Sequence, residues 1–207
     1  MNIGIVGAGN LGTALAQRLI SRGHTVMLSF RRDVDKLKDE AEALGARAGT
    51  PSEAAKFGDV IVLAAPWTAV PEALRQVGNI PASKILWDCT NALKPDMSGL
   101  LIGTTTSAGE EVARLAPWAR VVKGIPPFAE ALHPSAAPGE GCPDVFICGD
   151  DAGARKIVAG LVEDIGTSAV DAGPLSLARY TEPACMLLVQ LAYVQRLGTG
   201  ISLKLIR

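Results

Sequence analysis

The feature that most constrains this chain is a glycine-rich turn near its start. Residues 3–7 form an apolar run that leads into Gly7-Ala8-Gly9-Asn10-Leu11-Gly12. The spacing Gly-x-Gly-x-x-Gly is weak evidence alone, but here it follows a predicted strand and opens a predicted helix over residues 11–20. This context predicts a strand–turn–helix unit that binds the pyrophosphate of a dinucleotide.

Each glycine of the turn has a separate physical task. Gly7 permits the tight turn, Gly9 lets the pyrophosphate approach the backbone, and Gly12 lets the helix pack closely on the strand. The free N–H groups and the positive dipole end of the helix then hold the phosphates. We therefore expect cofactor contacts from Gly7, Gly9, Asn10, Leu11 and Gly12.

The end of the second predicted strand distinguishes between two dinucleotides. A site for NAD usually has Asp or Glu there, hydrogen-bonded to the ribose 2′-hydroxyl, whereas this chain has Ser29, Phe30, Arg31 and Arg32. Guanidinium groups are always charged and bind phosphate bidentately, which suits the 2′-phosphate of NADP, and Arg31 can also stack on adenine. We expect these four residues to contact NADP(H), although a solvated arginine pair before a helix is the alternative.

Two later strands end in residues that suit the nicotinamide end of the ligand. In an open parallel sheet the ligand lies beyond the carboxyl ends of the strands. Small Ala65 permits close approach, Pro66 directs the turn, and Trp67 either covers the cofactor or closes the core. Asn91 either hydrogen-bonds the nicotinamide ribose or amide, or caps the next turn. We expect cofactor contacts from all four.

Predicted strands and helices alternate along the chain. This order predicts an α/β fold, a Rossmann doubly wound parallel sheet with a small C-terminal helical extension. The predicted strands are 3–7, 25–30, 46–48, 60–65, 85–89, 120–125, 145–148 and 168–171. The predicted helices are 11–20, 33–44, one starting at 51, 71–77, 108–115, 151–165 and 176–197. We expect residues 1–150 to form the NADP-binding domain and residues 151–207 an α/β extension on the substrate side.

Two segments are expected to shape what lies around the cofactor. Residues 126–143 form the longest predicted irregular segment and are interpreted as an active-site loop. The last predicted helix carries Met186, Leu187, Leu188, Leu191 and Val194. This apolar face favours a homodimer contact, with packing onto the chain's own sheet as the alternative.

Composition excludes several classes of function. The 207 residues carry a formal net charge of −1 without a long run of either sign, so nucleic acid is not an expected partner. The chain lacks a basic, apolar leader and any apolar stretch of about 20 residues, so we expect a cytoplasmic protein that does not span a membrane. Its four cysteines show no Cys-x-x-Cys spacing and its two histidines are far apart, so no metal site is expected.

Several segments outside the glycine turn carry a resemblance to a known family. The residues 7–12 (GAGNLG), 29–32 (SFRR), 65–67 (APW), 148–151 (CGDD), 171–176 (DAGPLS) and 198–205 are similar to those of the NADPH-dependent coenzyme F420 reductases. The likeness runs over essentially the whole chain. Phe30 departs from it, since better-known members have a small polar residue beside the 2′-phosphate.

The resemblance implies direct hydride transfer between NADPH and a 5-deazaflavin, coenzyme F420. It also implies substrate contacts from Ile125 and Pro126, and from the glycine turn Gly198, Thr199, Gly200 and Ile201. Such a reaction needs two stacked rings and little acid–base help, which agrees with a sequence in which we identify no catalytic residue.

Two other functions remain open. One is an NADPH-dependent reductase of another small-molecule acceptor, such as a flavin, a ferric chelate, or a carbonyl or imine compound. A carbonyl or imine would need a proton donor, for which His133 and Tyr180 are the candidates, although a surface His133 and a packed Tyr180 are the simpler interpretations. The other is a protein that holds NADP(H) as a sensor without turnover.

Overall fold

The computed structural model describes residues 1–132 and 142–206. One mixed sheet crosses this part of the chain, flanked by helices on both faces. Its strands are β1 (Asn2–Val6), β2 (Thr25–Ser29), β3 (Arg47–Ala48), β4 (Val60–Leu63), β5 (Lys84–Asp88), β6 (Ala119–Gly124), β7 (Asp144–Cys148) and β8 (Ser168–Gly173).

The helices lie between the strands along the chain. They are α1 (Asn10–Ser21), α2 (Val34–Leu44), α3 (Pro51–Phe57), α4 (Val70–Val77), α5 (Ala108–Leu115), α6 (Ala129–Leu132), α7 (Ala152–Asp164) and α8 (Ala178–Val189). Polar capping side chains mark the starts of α2 and α3. Asp33 accepts from the backbone of Lys36 at the start of α2, and Thr50 and Glu53 form a reciprocal capping box on α3.

The strand order is β3-β2-β1-β4-β5-β6-β7-β8. The order reverses between β1 and β4, which is the crevice where dinucleotides bind in this class of fold. The first six strands in chain order are mutually parallel, as predicted. The predicted doubly wound sheet is confirmed as mostly parallel, with a departure at β7, which pairs antiparallel to β6 through Lys123–Cys148 and Gly124–Ile147.

The reversal of β7 determines where this strand begins. Because β7 runs antiparallel to β6, it starts at the edge of the sheet where β6 ends. β8 then pairs parallel to β7 and belongs to the same sheet as β1. The C-terminal segment therefore extends the nucleotide-binding sheet directly.

The register aligns the strand ends that form the crevice. Val6 pairs with Leu63, Leu63 with Asp88, and Asp88 with Lys123. These four residues form one row across β1, β4, β5 and β6, one strand spacing of about 4.8 Å apart. We call the side of the sheet that follows this row the carboxyl edge.

Apolar packing covers both faces of the sheet. On one face, Leu15 and Leu19 of α1 pack with Leu37 of α2 and with Val158 and Leu161 of α7. The other face carries Leu74 and Val77 of α4 and Val112 of α5. Polar groups lie at the carboxyl edge, between these two apolar layers.

The long helix predicted over 176–197 is present as three consecutive helical segments that end at Val194. The structure has a 3₁₀ turn (Leu175–Leu177), then α8, then a π-helical turn (Gln190–Val194). The residues of the predicted apolar face also separate, since Met186 is buried and Leu187 is exposed. The predicted irregular segment 126–143 contains α6 in its described part, and other element ends move by one or two residues.

Candidate functional site

The glycine turn is tightly packed at Gly7 and Gly12 and open at Gly9. A Cβ atom on Gly7 would lie 2.5 Å from the backbone carbon of Ala64, and one on Gly12 would lie 1.9 Å from the carbonyl oxygen of Gly7. A Cβ atom on Gly9 would meet nothing within 4 Å. Gly7 and Gly12 are therefore required by the fold, whereas Gly9 leaves open space at the start of α1, beside exposed Asn10 and half-buried Leu11.

Arg31 is held by the chain itself. Its Nη1 donates to the carbonyl oxygen of Ala8 at 2.5 Å and pairs with the Glu40 carboxylate of α2. Its side chain is 22% exposed, so it joins the glycine turn to α2. In contrast, no described residue forms a hydrogen bond or ion pair with the exposed side chain of Arg32. Arg32 is thus the uncommitted cation at the end of β2.

The two residues before the arginines point toward the protein interior. Ser29 is fully buried and its hydroxyl donates to the carbonyl oxygen of Ile5 at 2.8 Å. Phe30 has a left-handed φ of 58° and packs against the apolar cluster beneath α4. The left-handed turn at Phe30 redirects the backbone, which brings Arg31 and Arg32 to the rim of the crevice.

The residues after β4 occupy the neighbouring part of the crevice. Ala65 is buried and Pro66 is exposed, and Trp67 begins a 3₁₀ turn (Trp67–Ala69). Trp67 is half-buried and packs against the same apolar cluster as Phe30. Its ring therefore supports the core, and its exposed part faces solvent.

The turn that carries Asn91 is held rigidly at the carboxyl edge. Asp88 Oδ1 accepts from the backbone N–H of Thr90 at 2.9 Å and from its hydroxyl at 2.7 Å. Asn91 Nδ2 donates to the carbonyl oxygen of Glu182 at 3.2 Å. Asn91 Oδ1 is buried and has no partner among the described residues, so this amide oxygen is an unused acceptor.

Beneath this turn lies a cluster of three buried charges. The Lys123 ammonium contacts Asp88 Oδ2 at 2.9 Å and Glu182 Oε1 at 3.2 Å, and it donates to the carbonyl oxygen of Thr90 at 2.5 Å. The three charged side chains are at most 1% exposed. One ammonium and two carboxylates give this cluster a formal charge of −1, and we call it the Lys123 cluster.

Glu182 connects the cluster to two helices. It lies on α8, and its carboxylate accepts from the backbone N–H groups of Ala108 at 2.8 Å and Gly109 at 2.9 Å, at the start of α5. Burial alone would lower the pKa of Lys123, but the carboxylates of Asp88 and Glu182 outweigh it and raise that pKa. Lys123 therefore stays charged at neutral pH.

The residues implied for the substrate reach the same edge. Ile125 and Pro126 directly follow β6. The backbone N–H of Asp144, at the start of β7, donates to the carbonyl oxygen of Leu203 at 3.1 Å, which brings the segment after residues 198–201 to the carboxyl edge. Gly198 has a φ of +78°, so its turn requires glycine there.

An aromatic pair closes this side. Phe128 and Tyr193 meet edge to face with ring centroids 5.7 Å apart. Tyr193 lies in the π-helical turn, and Gln190 of the same turn donates to the carbonyl oxygen of Met97 at 2.5 Å. The π-helical turn thus contacts the segments that contain Phe128 and Met97, near Ile125.

The structure describes one of the two proton donors considered from the sequence. Tyr180 is 72% exposed rather than packed, and His133 lies outside the described residues. No group of three potential metal ligands occurs within residues 1–132 and 142–206, and no helix of that part is long and apolar enough to cross a membrane.

A separate cavity has a volume of about 470 Å³, and none of the predicted site residues lines it. It lies beyond the end of β7, away from the glycine turn. It is lined by Thr106, Glu110, Ala113, Arg114, Asp150, Leu175, Ser176 and Arg179. Arg179 is paired with Glu110 and Arg114 with Glu111, so its cations are already neutralised.

Sequence reasoning missed two parts of this region. Glu40 is one acid among several on an amphipathic helix, and nothing in the pattern marks it as the partner of Arg31. Lys123 did carry a signal, because it interrupts an apolar run in a strand that must be buried, whereas Glu182 lies in a mixed polar stretch that gives no such signal.

Comparisons with known proteins agree with this geometry. A family model described as "NADP oxidoreductase coenzyme F420-dependent" matches residues 2–92. A solved structure from Arthrobacter sp. FB24, provisionally assigned as an F420-dependent NADP reductase, is 25% identical, with 99% of each chain covered and a TM-score of 0.88. A hypothetical protein from Sinorhizobium meliloti is 27% identical, with 86% of this chain and 87% of that chain covered and a TM-score of 0.74.

Another relative is named for a different activity. The metalloreductase STEAP3 of Rattus norvegicus is 28% identical over 87% of this chain, and the chain spans 35% of that protein's length. An imine reductase from Streptomyces aurantiacus, 20% identical with a TM-score of 0.69, shares the fold, with 94% of this chain and 64% of that chain covered.

The fold, the glycine turn and these relatives make the chain similar to the class of NADP-dependent oxidoreductases. Within that class, the predicted resemblance to the NADPH-dependent coenzyme F420 reductases is confirmed, by the family model for residues 2–92 and by the Arthrobacter structure for nearly the whole chain.

Proposed function

We propose that this protein transfers a hydride between NADPH and the deazaflavin coenzyme F420. The observation that carries the proposal is the likeness to the Arthrobacter protein over 99% of both chains, because it includes the C-terminal glycine turn as well as the nucleotide site. The nicotinamide cofactor supplies the hydride, and the deazaflavin accepts it together with one proton from water.

The chain's residues fit NADP(H). The open space at Gly9 and the free N–H groups at the start of α1 would hold the pyrophosphate. Arg32 would bind the 2′-phosphate, with Arg31 fixing the turn beside it. The unpartnered Oδ1 of Asn91 would accept a hydrogen bond from the nicotinamide carboxamide or ribose.

The acceptor would lie between the two turns at the carboxyl edge. Ile125 and Pro126 offer an apolar wall, and residues 198–201 approach through the tail that docks on Asp144. These residues would orient the second ring and exclude water from the hydride path. None of them has to move a proton, which suits an acceptor that takes its proton from solvent.

Steady-state oxidation of NADPH tests the proposal directly. Purified protein is mixed with NADPH and either oxidised F420, a free flavin or ferric citrate, and loss of the reduced nicotinamide absorbance is followed. Turnover with F420 and not with the other acceptors is expected. Tight NADPH binding without oxidation by any acceptor would instead favour a sensor.

A second candidate is reduction of a flavin or ferric chelate. It rests on the likeness to the metalloreductase, 28% identical over 87% of this chain. The same assay separates the candidates, because it would then show turnover with flavin or iron and none with F420.

We also propose that α8 and the segment that follows it contribute to a homodimer. Leu187, Val194 and Leu197 are each more than half exposed, and exposed apolar side chains grouped in one segment are typical of a contact surface. Light scattering after size-exclusion chromatography should give a dimer for the unmodified protein and a monomer for Leu187→Asp.

A further inference from the structure

A buried cluster with unequal numbers of charges lies beneath the proposed nicotinamide position. The Lys123 cluster contains one ammonium and two carboxylates at the ends of β5 and β6 and on α8. Replacing such buried ion groups with apolar residues is often neutral or stabilising. A contribution to folding stability therefore does not by itself explain why these charges are present. The cluster therefore invites a functional explanation.

The row of paired residues gives the position of the cluster. Val6 is the last residue of β1 before the glycine turn, and Asp88 lies in the same row two strands away, at about 10 Å. A dinucleotide starts on the glycine turn and extends across the carboxyl edge toward the second half of the sheet. Its nicotinamide end therefore comes to the side of β4 and β5, above Asp88 and beside Asn91.

The charge of the nicotinamide ring changes in the reaction. The reduced ring is neutral and the oxidised ring is a cation, so a nearby negative charge favours the oxidised form. Because burial keeps the Lys123 cluster out of water, its field is screened less than that of a surface group. At an effective dielectric constant of about 20 and a separation of about 10 Å, one unit charge shifts such an equilibrium on the order of tenfold.

We propose that the Lys123 cluster, through its net negative charge, makes the bound cofactor a stronger hydride donor by favouring NADP⁺ over NADPH. Lys123, Asp88 and Glu182 are thus positioning residues that act through their charge and need no contact with the reacting atoms. The inference rests on the proposed use of NADP(H) and is independent of which acceptor the protein reduces.

Substitutions within the cluster provide a graded test. Asp88→Asn and Glu182→Gln each bring the formal charge to zero, and Lys123→Met brings it to −2. The double variants Lys123→Met/Asp88→Asn and Lys123→Met/Glu182→Gln restore −1 with altered packing. The exposed Asp59→Asn, at the start of β4 on the opposite edge, is the matched control for the charge of the whole chain.

Calorimetry with NADPH and NADP⁺ gives the ratio Kd(NADPH)/Kd(NADP⁺) for each variant. We expect this ratio to fall about tenfold for the two neutral clusters and to rise about tenfold for Lys123→Met. It should return to the wild-type value in both double variants and stay unchanged in Asp59→Asn. A tenfold change in this ratio corresponds to about 30 mV in the potential of the bound pair.

The comparison of variants separates a charge effect from structural damage. Damage weakens both cofactors together and leaves the ratio constant, and a constant ratio across the series would overturn the inference. If Lys123→Met does not fold, the two single neutral variants still decide, since they reach the same charge through different residues. Failure of the proposed function would look different, because the unmodified protein would then bind neither cofactor or reduce no F420.

Discussion

The two arginines at the end of β2 should contribute to cofactor binding in different ways. Arg31 is committed to the Ala8 carbonyl oxygen and to Glu40, whereas Arg32 is exposed and without a described partner. We therefore expect Arg32→Ala to weaken NADPH and leave NADH unchanged, because only NADPH carries the 2′-phosphate. Arg31→Ala should weaken both, because it releases the glycine turn that every dinucleotide uses.

The expected sizes follow from the bonds involved. A hydrogen bond to a charged group contributes about 1.5–3 kcal/mol. Because Arg32 is exposed, the low end of this range applies to Arg32→Ala. About 1.4 kcal/mol is a tenfold change in Kd, so the Kd for NADPH should rise about tenfold. Arg31→Ala should cost about tenfold for each cofactor, so the double variant should lose about a hundredfold for NADPH and about tenfold for NADH.

Glu40 provides the opposite perturbation. Its carboxylate neutralises Arg31 and repels a phosphate nearby, so Glu40→Gln should tighten NADPH roughly fivefold, allowing for partial exposure of the pair. A carboxylate in this region can also accept from a ribose 2′-hydroxyl, so NADH should bind no tighter.

Isothermal titration calorimetry with both cofactors tests these values. Arg22→Ala is the matched control, since Arg22 is an exposed arginine at the opposite end of α1, and it should change neither Kd. The reasoning is refuted if Arg32→Ala weakens NADH as much as NADPH, or if Arg31→Ala weakens NADPH alone.

Three further predictions follow from the contacts described above. Gly9→Val should abolish binding of both cofactors and leave the thermal unfolding midpoint unchanged, because its side chain enters open space that only the pyrophosphate would use; retained binding would contradict this. Lys123→Met should lower the free energy of unfolding by about 3–5 kcal/mol in denaturant titrations, since it leaves two buried carboxylates without their cation; a loss below 1 kcal/mol would contradict it. Burial raises the pKa of Cys148 to about 11 and of Cys185 to about 12, so both thiols stay protonated at neutral pH. Only exposed Cys142 should then react rapidly with a thiol reagent in the native protein, giving one equivalent per chain.

The sequence predicts most of the sheet because its signals are local. The apolar runs, the glycines after them and the caps at Asp33 and Thr50 each act within a few residues. The direction of β7 is not local, since it depends on the path of the chain from Gly124 to Asp144. Period and composition are the same for a strand that runs either way, so the reversal could not be predicted.

The candidate site likewise combines residues whose roles follow from local sequence with residues whose partners depend on the fold. The role of Gly12 follows from spacing alone, and the close approach to the Gly7 carbonyl oxygen agrees with it. The partner of Arg31 is nine residues away on a helix whose rotation the sequence does not specify. Lys123 is different, because a lysine within an apolar strand is visible in the sequence and calls for a buried counter-charge that only the fold identifies.

The reversed strand β7 has a consequence for how this protein can diversify. Because β6 ends and β7 begins at the same edge, the connection between them can change in length or composition without shifting the register of the nucleotide-binding strands. In the proposed function, the strands that would hold the electron donor are thus separate from the connection that would lie beside the acceptor. Related chains could acquire new electron acceptors by exchanging this one connection.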